Sequence, residues 1–465
     1  MKQPRIHITW YVVSDIISAI ITWICFYFLR TVIYNYPFSI PPGFYIGIFL
    51  YTLGWISLYF LTGAYESIYE KSRVNELFRT IATSIIGSIF LLFFFILKNP
   101  QINNEYYYLE FFSLLIPVFT LTFLLRLIIL SKAKKQLKEK DVFFNVLLIG
   151  SGKNATQFYQ AFAATKGITS YNITSFLNTN GNNGIHLPEQ IKKYDALATL
   201  NNIIVADNIE EVIITVEKNE RAVLTNILQQ LSDKDVNIKI TPDAVDILSG
   251  AVQTNNVMGV PLIDVHSGQL EAWQTNIKRF IDISFSLSGL IILSPVLLYT
   301  AIRTKLSSRG AVFFLQDRVG FKGKTFVIYK FRSMVQGAEK NGPQLSSDTD
   351  ERITNWGKIM RKWRLDELPQ LWNILQGEMS LVGPRPERKF YIDQIAQLHP
   401  EYNYLFKVKP GLTSWGMVQY GYASSVDEMI QRMPYDLMYV ENVSIGLDLK
   451  IMLHTISIIV AGKGK

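Results

Sequence analysis

The sequence predicts three parts in series. They are a membrane α-helical bundle of four transmembrane helices, an α/β Rossmann-like domain, and an α+β domain that carries a re-entrant membrane helix. Three observations carry this reading. Apolar residues make up 49% of the 465 and gather in long runs rather than spreading evenly. A glycine-containing turn follows a short apolar strand near residue 150. The last part is dense in ordered motifs of Asp, Glu, Arg and Pro. The expected boundaries are 1–140, 141–268 and 269–465.

Taken in order, apolar runs cover about 10–29, 44–62, 80–97 and 111–130, each near the ~20 residues a spanning helix needs. Lys2 and Arg5 precede the first, Lys71, Arg73 and Arg79 separate the second from the third, and a lysine cluster at 132–140 follows the fourth. The other two connections carry only Arg30 and Lys98, so the positive-inside rule places both ends of the bundle in the cytoplasm. Arg126, read as the one charge deep in a run, is expected to snorkel to the cytoplasmic side. Cys25 is the single cysteine, which excludes an intramolecular disulfide. The net charge of +8 suits anionic lipid or phosphorylated substrates. Nucleic acid is excluded as a partner because the basic residues flank membrane segments and form no separate arm.

From Asn145 the pattern changes. Val146–Ile149 reads as a strand, Gly150-Ser-Gly152-Lys-Asn-Ala155 as a turn into a helix, and the whole as the start of a dinucleotide-binding fold. Further strands are expected at Ile173–Leu177, Asn202–Val205, Glu211–Val216 and Val236–Ile240, with a helix over 218–232. The acidic residue that grips a ribose is absent, only Asn178 standing near its place, so an empty spacer module is the favoured reading of this domain. Asn178–Gly184 reads as a loop and Gly250–Gly268 as a connection without clear periodicity.

Lys278-Arg279 then opens the run Phe280–Ile302, broken at Ser294-Pro295. Proline inside a helix removes a backbone hydrogen bond and kinks it. A helix over about 278–302 that enters one leaflet and returns keeps everything after it in the cytoplasm.

The stretch Arg361-Lys-Trp-Arg-Leu-Asp-Glu-Leu-Pro-Gln-Leu-Trp-Asn373 sets two carboxylates, Asp366 and Glu367, just before Pro369. Proline favours a helix's first turn, and Leu368, Leu371, Trp372 and Leu375 recur at helical spacing. By itself this reads equally as a capped surface helix or as a site that gathers phosphate.

The region from about Thr275 to the C-terminus resembles the bacterial sugar transferases, the monotopic polyprenyl-phosphate glycosyl-1-phosphate transferases. The residues that carry the resemblance are Lys278-Arg279 and Asp282 before the Ser-Pro break, Phe314-Leu-Gln-Asp-Arg-Val-Gly320, Lys330-Phe-Arg-Ser-Met334, Leu365-Asp-Glu-Leu-Pro-Gln-Leu-Trp-Asn373 and Met379-Ser-Leu-Val-Gly-Pro-Arg-Pro386. The order of parts along the whole chain is similar to the long-form members.

The resemblance implies transfer of a sugar 1-phosphate from a nucleotide sugar, with a UDP-hexose as the expected donor, to undecaprenyl phosphate. This step starts the assembly of a surface polysaccharide repeat. It implies a covalent phosphosugar on Asp366, Mg²⁺ associated with Glu367, a re-entrant helix, and a catalytic domain on the cytoplasmic face of the bacterial inner membrane. The long form makes a homodimer an expectation.

Elementary chemistry agrees. A carboxylate nucleophile divides one displacement into two easier ones, and Mg²⁺ prefers one or two carboxylates plus phosphate oxygens. A helix end beside Asp366 would depress its pKa and keep it ionised. Arg361 and Arg385 are expected to grip phosphate with paired N–H groups, with Lys330, Arg332 and Lys409 as further substrate contacts. Pro384 and Pro386 fix the backbone around Arg385. Gln316 and Arg318 either meet substrate or shape the turn at Gly320. Lys278, Arg279 and Asp282 read as an anchor with a structural ion pair. The loop Thr413–Gly421 departs from the family pattern, so no contact is carried over there. The rival reading is a membrane-anchored nucleotide-sensing regulatory protein that uses the Gly150 turn and performs no transfer; it leaves the ordered C-terminal motifs without a purpose.

Overall fold

A computed structural model describes residues 4–66, 68–98, 104–164, 171–179, 187–216, 221–231, 234, 236–242, 262–264, 270–338, 342, 344–345 and 350–460. One compact unit holds the chain through Phe144; the other holds the sheet and everything from Lys278 onward.

In the first unit four helices, α1 (Thr9–Tyr34), α2 (Phe44–Leu61), α3 (Arg73–Lys98) and α4 (Glu105–Lys138), are long and apolar enough to cross a membrane. They turn large apolar side chains such as Ile46, Phe49, Phe90, Phe94 and Ile128 outward. That is the inverse of a water-facing bundle and is compatible with membrane anchoring. Trp55, Tyr59, Leu114 and Val118 pack inside.

Arg126 does not snorkel. Its guanidinium is fully buried and donates to Asp15 Oδ1 and Oδ2 at 2.9 and 2.7 Å and to Glu76 Oε1 at 2.8 Å, with the Tyr59 ring 4.2 Å from its Cζ. Asp15 lies within the first apolar run, so Arg126 is not the lone deep charge. A snorkelled arginine would leave Asp15 without a cation and Glu76 with only Lys71 at 3.9 Å, which costs more than bending the side chain gains. The triad joins α1, α3 and α4.

In the second unit β1 (Phe144–Gly150), α5 (Gly152–Ala164), β2 (Tyr171–Asn178), β3 (Lys192–Tyr194), α6 (Leu200–Ala206), β4 (Glu211–Thr215), α7 (Arg221–Leu231), β5 (Asn237–Ile240) and β6 (Ile263–Asp264) build a six-stranded sheet in the order β3-β2-β1-β4-β5-β6. The pairs β1–β4, β2–β3 and β4–β5 are parallel, and β5–β6 is antiparallel. All five residues of β4 are buried, as a strand covered on both faces requires. The strand expected at Asn202–Val205 is instead part of α6. Leu200, Ile203 and Ile204 are the residues it buries, and their i, i+3, i+4 spacing is helical. The three-residue apolar run Ile203–Val205 could not separate the two periods. β3 was not foreseen, since Lys-Lys-Tyr has no apolar alternation. Most of the connection 250–268, and residues 180–184 of the loop after Asn178, lie outside the described residues.

α8 (Ala272–Ile292) and α9 (Ser294–Ser307) form one apolar pair bent by 63° at Leu293. Pro295 stands at the first turn of α9, where its missing N–H leaves nothing unpaired, so the chain breaks there without losing a bond. After the pair come β7 (Phe313–Val319) and β8 (Thr325–Phe331), an antiparallel ribbon that sets Phe314 opposite Lys330 and Gln316 opposite Ile328. Then follow α10 (Asn355–Lys362), a 3₁₀ turn Leu365–Glu367, α11 (Gln370–Gln376), β9 (Ser380–Val382), α12 (Lys389–Leu398), a 3₁₀ stretch Pro400–Lys407, β10 (Gly411–Thr413), α13 (Trp415–Gln419), α14 (Val426–Glu441) and α15 (Ile445–Val460). The core of this part joins Val382, Ile395, Tyr402, Met433, Tyr439 and Ile451.

Replacing Arg126 with Met is expected to destabilise the protein by about 3–5 kcal/mol, because Asp15 loses its paired contacts and Glu76 keeps only Lys71 at 3.9 Å as a cation. Adding Asp15→Asn and Glu76→Gln should recover most of that loss. Melting of the three forms in detergent checks it.

Candidate active site

The acidic pair does not sit in the first turn of a long helix. Asp366 and Glu367 lie in the 3₁₀ turn, and the helix after Pro369 has only seven residues. Arg364 enters the turn with φ 55° and ψ 24°, a left-handed backbone that non-glycine residues rarely adopt. Such strain persists only where surrounding contacts enforce it, and here the enforcing contacts are those of its guanidinium. Arg364 Nη1 donates to Glu367 Oε2 at 3.2 Å and its Cζ stands 5.1 Å from the Tyr422 ring centre.

Glu367 is held by three cations. Lys330 Nζ on β8 donates to Oε1 at 3.1 Å, Arg385 Nη2 donates to the same oxygen at 3.4 Å, and Arg364 takes Oε2. Asp366 is buried, and among the described residues its Oδ1 has no hydrogen-bond partner. The environments of the adjacent carboxylates therefore diverge. Burial raises the pKa of Asp366, and the charge of Glu367 raises it further against the pull of Lys330 and Arg361. Burial also acts on Glu367, but Lys330, Arg385 and Arg364 together outweigh it and hold the group well below its ordinary value. The expectation that a helix end depresses the pKa of Asp366 is thus reversed, because desolvation and an adjacent like charge exceed a short helix's dipole.

Arg385 is the bridge to a second carboxylate. Its Nε stands 3.9 Å from Glu387 Oε1. Glu387 also accepts from Arg318 Nη1 at 3.0 Å and Arg432 Nη2 at 2.9 Å. Three guanidiniums keep its pKa low despite burial. Tyr422 supports the same arginine from below: its hydroxyl is hydrogen-bonded to Arg385 Nη2 and its ring lies 4.6 Å from Arg385 Cζ. These groups line a cavity of about 1330 Å³ that carries ten Lys and Arg side chains against four carboxylates. That excess suits a ligand with several phosphate charges.

The expected site residues divide in two. Asp366, Glu367, Arg361, Arg385, Lys330, Gln316, Arg318 and Arg332 all line this cavity. Within it, Arg361 Nε donates to Ser333 Oγ at 3.0 Å, and Gln316 Oε1 accepts from Arg318 Nη2 at 2.6 Å. Arg332 spends its guanidinium on backbone, donating to the carbonyls of Ser308 at 2.7 Å, Thr304 and Ala311; it fastens the end of α9. Pro384 and Pro386 shape the chain beside Arg385 and do not line the cavity, although the Pro386 carbonyl accepts from Arg318 at 3.0 Å. Lys409 lies apart from it too, near Gly377 and Arg279, where burial and Arg279 lower its pKa. Lys278 is paired with Asp448 and donates to the Val382 carbonyl at 2.9 Å, and Asp282 accepts from Leu381 N at 2.9 Å. Both are structural ties.

Sequence reasoning missed Glu387, Arg432 and Tyr422. Glu387 follows directly on Gly383-Pro-Arg-Pro386, which was the available signal; Tyr422 lies one residue beyond a loop whose pattern departs from the family.

Among the described residues no group of three or more His, Cys, Asp or Glu is placed to hold a metal. The two adjacent carboxylates still fit Mg²⁺ that arrives with a diphosphate, since that ion keeps one or two carboxylates and completes its shell with phosphate oxygens and water. Asp366 Oδ1 has no partner to give up. The cations on Glu367 would find new partners in the phosphates.

The apolar helices are compatible with a membrane anchor, and the cationic cavity has the charge to suit a phosphorylated ligand. Comparison with known proteins narrows this reading. The family described as bacterial sugar transferase matches residues 273–462, and a CoA-binding domain family matches residues 61–242. The chain is 45% identical over 188 residues to a UDP-N-acetylgalactosamine-undecaprenyl-phosphate N-acetylgalactosaminephosphotransferase of Aeromonas hydrophila, covering 40% of this chain and 44% of that one. It is 34% identical over 250 residues to a UDP-glucose:undecaprenyl-phosphate glucose-1-phosphate transferase of Klebsiella pneumoniae, covering 53% and 54%. With the enzyme of that same name from Caulobacter vibrioides it shares 38% over 183 residues, 38% of this chain and 68% of that one. The matches span about half the length of the first two relatives. The chain belongs to the bacterial sugar transferase family.

A raised pKa in the folded state makes Asp366 a cost to stability above its ordinary pKa of about 3.9 and no cost below it. Asp366→Asn is therefore expected to melt higher than the native protein at pH 7.5, with the difference shrinking as pH falls towards 4. Thermal melts across that range check it.

Proposed function

We propose that the protein transfers a sugar 1-phosphate from a nucleotide sugar, a UDP-hexose by analogy with its relatives, to undecaprenyl phosphate, initiating a surface polysaccharide repeat. The observation that carries this is the pair of carboxylates with opposite pKa shifts, one caged by Lys330, Arg364 and Arg385 and the other with an unpartnered oxygen.

The donor diphosphate enters among these cations. Arg385 and Arg364 turn from Glu367 to the phosphate oxygens, where paired N–H groups hold the reacting phosphorus in place. Once its proton has left, Asp366 Oδ1 attacks the phosphorus bonded to the sugar. A P–O bond to aspartate forms, the P–O bond to the nucleoside monophosphate breaks, and its electron pair leaves with that product. The lipid phosphate then attacks the same phosphorus and restores the carboxylate. Glu367, with the diphosphate oxygens, would hold Mg²⁺, which when bound neutralises charge building on the leaving phosphate. Tyr422 keeps Arg385 in register throughout.

The same proposal covers the architecture. It has three domains, 1–140, 141–268 and 269–465. The strand order of the middle sheet supports a Rossmann-like reading. The 63° bend supports a helix pair that enters and leaves one leaflet, keeping the cavity on the cytoplasmic side where nucleotide sugars are made. A homodimer is part of the proposal.

Purified protein given undecaprenyl phosphate, Mg²⁺ and a panel of nucleotide sugars should release nucleoside monophosphate, and Asp366→Asn should not. Release that survives this change contradicts the role of Asp366. Because the carboxylate must be ionised, the acid limb of kcat/KM should lie above the ordinary aspartate value of about 3.9. Tyr422→Leu should lower kcat/KM roughly 3- to 30-fold, the worth of a cation–π support, while Tyr422→Phe keeps most activity.

A further inference from the structure

The cations of the cavity are not equivalent. Lys330, Arg364 and Arg385 face Glu367, Arg318 and Arg432 face Glu387, and Arg332 is spent on carbonyls. Lys358 and Lys362 line the same cavity and are exposed, and their ammonium groups make no ion pair or hydrogen bond among the described residues. Both stand on α10 at a spacing of i, i+4, one above the other and roughly 6 Å apart along the axis. Two long, flexible lysine side chains on one helix face can bring both ammoniums to the dianion of a phosphate monoester.

What surrounds them points to a lipid. α10 buries Trp356 and Met360 against α9. Leu297 and Ala301 join that cluster, the Tyr299 ring lies 5.8 Å from Trp356, and Thr304 Oγ1 approaches Met360 Sδ at 3.5 Å. α9 is the second arm of the bent apolar pair, and it exposes Leu298, Tyr299, Ile302 and Leu306. α10 itself exposes Ile359, with Trp363 just beyond its end, beside the two lysines. Apolar side chains next to long cationic ones are the composition of a helix at a membrane surface, where lysine stems lie on apolar ground and the ammoniums reach polar groups. Free cations at one edge of the cavity thus adjoin an apolar shoulder, while the engaged cations lie around the acidic pair.

We infer that Lys358 and Lys362 form the subsite for the phosphate monoester of the lipid acceptor, with its chain lying along the exposed side of α9. This rests on the transferase reading above. In the second half-reaction an oxygen of the held lipid phosphate bonds to the phosphorus carried by Asp366. The P–O bond to Asp366 breaks, and its electron pair returns to the carboxylate; a dianion attacks without passing a proton. The lysines neutralise the acceptor enough for it to approach a second phosphate.

The test uses the full chain in neutral detergent with a nucleotide sugar that the native protein turns over. Lys358→Gln with Lys362→Gln should raise KM for undecaprenyl phosphate about tenfold or more, the worth of one lost charge-assisted contact. Nucleoside monophosphate release in a single turnover without lipid should stay within about twofold of native. The arginine pair, Lys358→Arg with Lys362→Arg, should restore most of the lipid KM. Unchanged lipid KM overturns the inference, and so does an equal loss in the lipid-free turnover, which would place these lysines on the donor. A variant whose only defect is weaker association with phosphatidylglycerol vesicles, at native lipid KM in neutral detergent, also overturns it and assigns the pair to bilayer headgroups. Failure of the transferase reading has a different signature: the native protein would release no nucleotide from any donor.

Discussion

The site depends on how two adjacent buried carboxylates share their charge. Neither could ionise alone in that environment without a large desolvation cost. Lys330, Arg364 and Arg385 converge on Glu367, so it carries the negative charge, and Asp366 is left with the raised pKa and an oxygen bonded to nothing. Removing one cation from such a cage shifts charge onto the other carboxylate as well as weakening a contact. Arg385 matters most, since it reaches both Glu367 and Glu387. A diphosphate entering the cavity competes for the same guanidiniums, which links substrate arrival to the state of the acidic pair.

The fold around it is arranged to hold these groups still. β8 supplies Lys330, and its backbone is fixed from the side by Asn373, whose Oδ1 accepts from Tyr329 N at 3.1 Å while Nδ2 donates to the Val327 carbonyl at 2.7 Å. That fully buried asparagine stands in for a neighbouring strand and ties α11, just after the acidic turn, to the ribbon. Arg279 caps α11 from α8, donating to the Leu375 carbonyl at 2.8 Å. Arg332 fastens the end of α9. The bent apolar pair is therefore joined to the cavity at both arms. Where Arg385 leaves β9, Gly383 and Gly411 cross so closely that a Cβ on either would collide with the other's chain. That close crossing sets where the arginine starts.

Much of this could be read in the sequence because the relevant residues are consecutive. Four apolar runs, the Ser294-Pro295 break and the Asp366-Glu367 pair are local patterns; the runs and the break stand where periodicity and proline chemistry place them, whereas the pair lies in a 3₁₀ turn ahead of a short helix. What could not be read depends on distance along the chain. Asp15, Glu76 and Arg126 meet across three helices, and no local pattern pairs them. Tyr422 reaches Arg364 and Arg385 only after the chain has folded back. The pKa of Asp366 was misjudged because helix geometry was counted and burial was not. In α6 the three apolar residues Ile203–Val205 fit two periods, so the run alone does not separate helix from strand. Arg332 has the residue type of a phosphate ligand, yet just beyond the end of β8 it reaches nearby carbonyls.

The most direct test of the central claim is the intact mass of the protein after exposure to a nucleotide sugar with Mg²⁺ and no lipid acceptor. The account predicts a mass increase equal to one phosphosugar, localised to the peptide containing Asp366, absent in Asp366→Asn, and discharged when undecaprenyl phosphate is added. Steady turnover with no adduct at any time after rapid quenching, or an adduct that persists in Asp366→Asn, would contradict it.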